Sequence, residues 1–235
     1  MIKSFNILGI IPAREGSKRL PGKNTMLIGK KSLLEIAIDS ANQSKYLNRV
    51  ILSTESKKYI NLVKNLNVEV PFIRPDNLAY DNSSTWDVVR HAVNFLDDNE
   101  NWKTDIVVVL QPNTPFRTGK HIDEVIKLVL NGADSAMSIK EVDYPPEWMY
   151  RINSRGNLQK LLKDNFISRA QDSQKTYQPN GVVYALKTKN LKYKVPMPVD
   201  STKSFLMSFN DSINIDEKWQ FDLANIKYME NKNND

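Results

Sequence analysis

The sequence contains no cysteine, so disulfides and thiolate metal sites are excluded. It has only two histidines, His91 and His121. They fall on different predicted helices, so they form no metal pair, and no spacing suggests a Ser/His/Asp arrangement. Long hydrophobic runs are also missing. The most apolar stretches, such as Asp105 to Leu110, are strand-sized and far below the roughly 20 residues needed to span a bilayer. The short apolar segment before Pro12 and Arg14 is wrongly flanked for a secretory signal. These features point to a cytoplasmic protein that makes no membrane contact. Neither G-x-x-x-x-G-K-[ST] nor G-x-G-x-x-G occurs, so two common phosphate-binding fingerprints are absent.

What is present fits one globular domain spanning 1–235, 40% hydrophobic and 26% charged. The length allows a sizeable core. The 33 basic and 27 acidic residues leave a net charge of +6, but no block of five like charges appears. The excess is better matched by a small polyanionic substrate, or by a solvated surface, than by nucleic acid.

The first half alternates strand-like and helix-like stretches. Asn6 to Pro12 reads as a buried strand. Ser32 and Glu35 form a capping box that opens a helix. Arg49 to Thr54 and Val68 to Ile73 are strand-like, and Ser56 to Leu66 and Ser84 to Asp97 helix-like. Asp105 to Gln111 is a continuous apolar run typical of a central strand covered on both faces. Ile122, Val125, Ile126, Val129 and Leu130 fall at helical spacing, with Gly132 placed to end the helix. Ala133 to Ile139 is another strand. Such alternation implies an α/β fold with a mostly parallel sheet, in which ligands bind beyond the carboxyl ends of the strands. The stretch 142–177 changes character, and reads as a small β-rich excursion that could form a dimer arm or a lid. Gly181 to Leu186 and Ser204 to Phe209 read as returning strands, and Asp216 to Met229 as a closing helix.

The strongest signal is IPAREGSKRLPGKN, Ile11 to Asn24, directly after the first strand. Gly16 and Ser17 let backbone amides approach a phosphate closely, and Arg14, Lys18, Arg19 and Lys23 supply charge. A triphosphate needs both. The alternative is a solvated basic loop. The stretch resembles the signature loop of the acylneuraminate cytidylyltransferases, the CMP-sialic acid synthetase family, and further motifs follow in the expected order along nearly the whole chain. The resemblance implies a Rossmann-like sheet of nucleotide-diphospho-sugar transferase type. The implied activity joins CTP to a sialic, legionaminic or pseudaminic acid, with Mg²⁺ (or Mn²⁺) as cofactor and a homodimer built through the β-rich excursion. CMP-Kdo synthetases share the opening but usually carry proline after the lysine; Asn24 follows Lys23 here. Other sugar nucleotidyltransferases and a non-catalytic nucleotide-binding protein remain alternatives.

The resemblance assigns Arg14, Ser17 and Lys23, with Asn24 nearby, to the triphosphate; Arg14, Lys23 and Asp216 are the catalytic candidates. In IRPDNLAYDNSST, Ile73 to Thr85, Arg74 and Thr85 match residues that hold the base and its phosphates. In LQPNTPFRTG, Leu110 to Gly119, Gln111 matches a sugar-binding glutamine, and Asn113 and Thr114 stand where the family usually has threonine and serine. In YQPNGVVY, Tyr177 to Tyr184, Asn180 matches a residue that contacts nucleotide or sugar and is placed here with the nucleotide set, and Gln178 replaces a common arginine on the sugar side. Upstream, Arg169, Ala170 and Gln171 stand where relatives often have two arginines and a glutamine, so Arg169 is the candidate for the sugar carboxylate. A lysine that relatives carry near Pro145 to Trp148 has no clear counterpart. In INIDEKWQFD, Ile213 to Asp222, Asn214 and Asp216 match a metal-binding pair of aspartates. An amide oxygen can still serve a hard cation, directly or through water, although Asp216 could instead simply cap the last helix. Trp148 and the reduced number of cations suggest a substrate less polar than ordinary sialic acid, of a deoxy, diamino type.

Overall fold

The computed structural model describes residues 5–162, 169, 173–198 and 200–233. A six-stranded sheet forms its centre, in the order β10-β6-β9-β5-β1-β4. The strands are β1 (Ile7–Pro12), β4 (Arg49–Ser53), β5 (Ile106–Val109), β6 (Ser135–Glu141), β9 (Tyr177–Lys187) and β10 (Thr202–Leu206). Only β9 runs against its neighbours, pairing antiparallel with β5 and β6. The other pairs are parallel. Two short hairpins lie off this sheet: β2 (Leu27–Ile28) with β3 (Lys31–Ser32), and β7 (Tyr150–Ile152) with β8 (Leu158–Lys160).

Helices cover both faces, which is why the strands read as unbroken apolar runs. Ile7, Ile11, Ile106 and Val108 face a core completed by α1 (Leu33–Asn42), α2 (Lys57–Val63) and α4 (Gly119–Leu130). Their sequence neighbours Leu8, Ile10, Val107 and Val109 face α3 (Thr85–Glu100) on the other side. This is the two-residue alternation of a pleated strand, with both faces dry. A third cluster, holding Leu20, Ile28, Leu33 and Ile215, seats α5 (Lys218–Asn233) beside the hairpin β2–β3. Gly29 turns that hairpin at φ +61°, and a Cβ there would lie 2.3 Å from the Tyr228 ring of α5. The conformation favours glycine, and any side chain there would also displace the Tyr228 ring.

The Ser32–Glu35 capping box forms as the sequence implies, with both reciprocal hydrogen bonds. Val68 to Ile73 departs from expectation. It makes a single bridge, Glu69 to Ile51, with backbone bonds to Val50 and Leu52. Pro71 then removes the donor that would continue the ladder. The closing helix starts at Lys218, two residues later than its apolar pattern suggests. Because β1, β4, β5 and β6 are parallel, their carboxyl ends lie at one edge of the sheet, where β9 enters.

Candidate active site

Two cavities open at that edge and share a wall. The first, about 260 Å³, is lined by the loop 14–24, by Arg74, Tyr80 and Thr85, and by Gln111 and Asn113 after β5. The second, about 430 Å³, lies between β6, β9 and α5. Gln111 and Asp216 line both. A group held in one cavity is thus adjacent to a group held in the other.

The first cavity is dominated by cations and by the acids that hold them. Lys23 opens a short 3-10 turn (Lys23–Thr25) after Gly22, whose φ of 69° lets the chain reverse. Its ammonium lies 2.8 Å from Asp216, and Arg19 reaches the other oxygen at 3.0 Å. Asn24, buried, donates to the Arg14 carbonyl at 3.2 Å and so ties the two ends of the loop together. Arg14 and Lys18 both pair with Asp81, in the loop before α3. The pairing holds the Asp81 carboxyl below its usual range, chiefly through the Lys18 hydrogen bond and then that of Arg14. Ser17 and Thr85 line the same space. Thr85 is the first residue of α3, and Ser84 caps the helix by accepting from the Trp86 amide. Arg74 is nearly fully buried. Burial pushes its guanidinium down to about 10, against the opposing pull of Glu55, so it remains charged at neutral pH. It donates to the Ser53 hydroxyl at 3.1 Å and to the Ser53 carbonyl, which fixes it at the end of β4.

Asp81 occupies two cations of the cavity that would otherwise be open to an anionic group. Asp81→Asn is expected to lower the KM for the nucleotide about three- to tenfold, the scale of losing two exposed ion pairs. Steady-state kinetics reads this directly, and a raised KM would make Asp81 a supporting residue instead.

At the shared wall, Asn113 donates to the Asn214 amide oxygen at 2.6 Å and to Asp216 at 3.3 Å. The Asn113 Oδ1 atom is buried with no partner among the described residues. Burial pushes the Asp216 carboxyl up, but Lys23, Arg19 and Asn113 outweigh it, and the net shift is downward. Asp216 does not cap α5 with its side chain. The Gln220 amide oxygen accepts from the backbone of Asp216 at 2.7 Å and of Glu217 at 2.9 Å, leaving the Asp216 carboxylate to face Lys23. Gly181, at φ +77°, brings β9 so close to Asn214 that a Cβ would lie 2.9 Å from its amide nitrogen.

Several candidates sit elsewhere than the sequence implies. Asn180 lines the second cavity, not the first. Its side chain is buried and already bonded to Ser138 at 2.6 Å and Ser212 at 2.8 Å. Thr114 is buried, donates to the Gln111 carbonyl at 3.0 Å and accepts from Arg117 at 2.9 Å. It lines neither cavity, and its two bonds hold the loop after β5. Gln178 lines the second cavity, whereas Arg169 is exposed and lines neither among the described residues. Ala170 and Gln171 lie outside the described residues. Trp148 lines neither cavity; the apolar wall of the second is built by Tyr184, Phe209, Trp219 and Leu223. The histidines belong to the frame. His91 packs edge-on against Phe72 at 4.6 Å, and His121 completes a capping box with Thr118 on α4.

Sequence reading passed over Arg117. It is buried, and donates to the Gln111 carbonyl at 2.9 Å, the Val182 carbonyl at 3.1 Å and the Ser40 hydroxyl at 3.1 Å. It ties the loop after β5 to β9 and α1. The signal for it was an arginine inside an otherwise apolar, proline-bounded segment.

Comparison with known proteins agrees with this geometry. The chain is 33% identical over 217 residues to the CMP-N,N'-diacetyllegionaminic acid synthase of Legionella pneumophila subsp. pneumophila, covering 90% of this chain and 91% of that one. It is 28% identical over 229 residues to an N-acylneuraminate cytidylyltransferase of Escherichia coli O18:K1:H7, covering 97% of this chain but only 53% of that longer protein. A solved structure of CMP:2-keto-3-deoxy-manno-octonic acid synthetase complexed with CTP has the same fold, with a TM-score of 0.67 over 97% of this chain and 99% of that one at 17% identity. The model of the cytidylyltransferase family matches residues 8–233, a span that contains the cation loop, both cavities and the wall between them, and the chain belongs to that family of nucleotidyltransferases.

Proposed function

We propose that the protein joins CTP to a nonulosonic acid of sialic-acid type, giving the CMP-sugar and pyrophosphate. The observation that carries this reading is the pair of adjoining cavities sharing Gln111 and Asp216. One is cationic and suits a nucleotide's phosphates; the other is larger, mixed in polarity and suits a sugar. The names of the Legionella and Escherichia relatives support the same chemistry.

In this reaction the anomeric hydroxyl attacks the α-phosphorus in line. The bond from that phosphorus to the bridging oxygen of the β-phosphate breaks, pyrophosphate leaves, and the hydroxyl gives up its proton to water. Arg14, Ser17, Lys23, Asn24, Arg74 and Thr85 hold the nucleotide, while Gln111, Gln178 and Asn180 line the sugar's side. Lys23 and Arg19 place fixed positive charge beside the reacting phosphate. Catalysis then comes from positioning and electrostatics, as expected for phosphoryl transfer.

A divalent cation, Mg²⁺ or Mn²⁺, fits the shared wall. Asp216 offers one carboxylate, Asn214 an amide oxygen, and the Asn113 Oδ1 atom is without a partner among the described residues. Among the described residues no group of three acids or histidines gathers. So small a set of hard oxygens suits Mg²⁺, which binds through one or two carboxylates together with substrate phosphates. When bound, the ion would offset charge developing on the phosphate oxygens.

The apolar wall of Tyr184, Phe209, Trp219 and Leu223 favours a deoxy, diamino acid over the fully hydroxylated sialic acid. Pyrophosphate release with CTP and legionaminic, pseudaminic and N-acetylneuraminic acids or Kdo tests the reading, with legionaminic acid expected to react best. Preference for N-acetylneuraminic acid would overturn the choice of acid. CTP binding without turnover of any acid would overturn catalysis itself. On this reading the reaction is cytoplasmic, where CTP is available. The excursion 142–177 acts as a dimer arm: in its hairpin β7–β8, Tyr150, Ile152 and Leu158 are exposed by 47%, 74% and 67%. Sedimentation at micromolar concentration should give twice the chain mass; a monomer would refute the arm.

A further inference from the structure

We propose that Lys140, with Gln178 opposite it, seats the carboxylate of the acidic sugar and thereby selects acids over neutral sugars. The inference rests on the reading of the second cavity as the sugar's.

Among the described residues lining that cavity, Lys140 is the one cation. The one acid there, Asp216, is engaged by Lys23 and Arg19. Lys140 lies near the carboxyl end of β6, directly opposed to Gln178 of β9 in the antiparallel register. Directly opposed residues send their side chains to the same face, so an ammonium and a carboxamide, both hydrogen-bond donors, stand side by side. The ammonium lies 4.7 Å from the centre of the Phe209 ring. Among the described residues no carboxylate pairs with it, and its neighbour Glu141 is bonded to Lys175 at 3.2 Å. The contrast with the first cavity is sharp: there Arg14, Lys18, Arg19 and Lys23 are all paired with acids. A half-buried ammonium loses part of its strong hydration, and an aromatic face replaces only some of it. An incoming carboxylate would supply the rest.

Reach is adequate. β6 and β5 are separated by β9 alone, so Lys140 lies two strand spacings, about 10 Å, from β5, which ends at Val109, two residues before Gln111. The flexible four-carbon stem of lysine spans much of that gap. In the ring form of a 2-keto sugar acid, the carboxylate and the reacting hydroxyl are carried by the same carbon. Holding one therefore aims the other at the shared wall, which is how a binding contact becomes a rate contribution. A neutral sugar would leave the ammonium without its counter-ion, and loses on that account.

Kinetics of Lys140→Gln and Lys140→Arg in the full chain test this, using CTP and whichever acid the wild-type protein turns over best. Lys140→Gln is expected to raise the KM for the acid about 10- to 100-fold, the scale of a lost charge-assisted hydrogen bond. The KM for CTP should stay within about twofold, and Lys140→Arg should recover most of the loss. With the methyl ester of the same acid, wild-type and Lys140→Gln proteins should perform alike, which a merely structural lysine would not produce. An unchanged KM for the acid, or an equal rise in the KM for CTP, would overturn the assignment of Lys140 while leaving the proposed reaction intact. A wild-type protein that turns over no acid would overturn the reaction and, with it, the role of Lys140.

Discussion

Lys23→Ala should lower kcat about 100- to 1,000-fold, the range seen when one preorganised transition-state donor is removed. Three observations set that expectation. The Lys23 side chain is only 15% exposed, so its charge acts with little screening by water. It sits 2.8 Å from Asp216 at the wall between the two cavities, where the reacting phosphorus must lie if both substrates are bound. Its backbone is fixed: Gly22 turns the chain, and buried Asn24 anchors the loop to the Arg14 carbonyl. A fixed cation costs no reorganisation as negative charge builds on the leaving pyrophosphate. The KM for CTP should change much less than kcat, because Arg14, Lys18 and Arg19 still meet the phosphates of the ground state. Single-turnover measurements of pyrophosphate release separate the two quantities. A melting temperature close to that of the wild-type protein excludes collapse of the loop as the cause. An unchanged kcat would remove Lys23 from the chemistry.

The difference between what sequence revealed and what it hid follows from chain distance. The cation loop was legible because Arg14 to Asn24 is contiguous, so the strand exit, the turn and the charges can be seen together. The runs Asn6 to Pro12 and Asp105 to Gln111 were legible because burial on both faces removes polar residues from both faces. The orientation of β9 was not. Gly181 to Leu186 reads as a strand, but nothing local says that it inserts antiparallel between β5 and β6. That placement depends on partners far away in the chain, such as Ser135 opposite Leu186 and Ile106 opposite Lys187. The second cavity was hidden for the same reason. Lys140, Gln178, Phe209 and Trp219 come from four separate segments, and each alone resembles an ordinary surface or strand-end residue. Asn180 shows the limit of matching a motif by position. The motif locates the residue on β9, but only the fold shows that its amide is spent on Ser138 and Ser212.

Asp216→Asn should lower kcat about 100-fold, the upper range for a residue that orients a charged group or supports a metal. The substitution keeps the shape of the side chain and removes the charge that holds Lys23 and Arg19 at the shared wall. It also leaves Asn113, Asn214 and the new amide competing for donors and acceptors in one small space, where the Asn113 Oδ1 atom already lacks a partner among the described residues. Stability should respond in a defined pH window. In the unfolded chain the carboxyl titrates near its ordinary value of about 3.9. In the folded protein burial raises that value, but Lys23, Arg19 and Asn113 lower it further, so the folded value lies below the unfolded one. Between the two the unfolded state binds more protons, so stability falls as pH falls. The contribution of Asp216 is complete above the unfolded value and is lost as pH drops through the folded value. Melting temperatures recorded from neutral pH down to about pH 3 should therefore fall less steeply for Asp216→Asn than for the wild-type protein below the ordinary carboxylate range. At neutral pH the variant should be the less stable of the two. Parallel melting curves would mean that the cations are held elsewhere, and that Asp216 serves the reaction only through bound ligand.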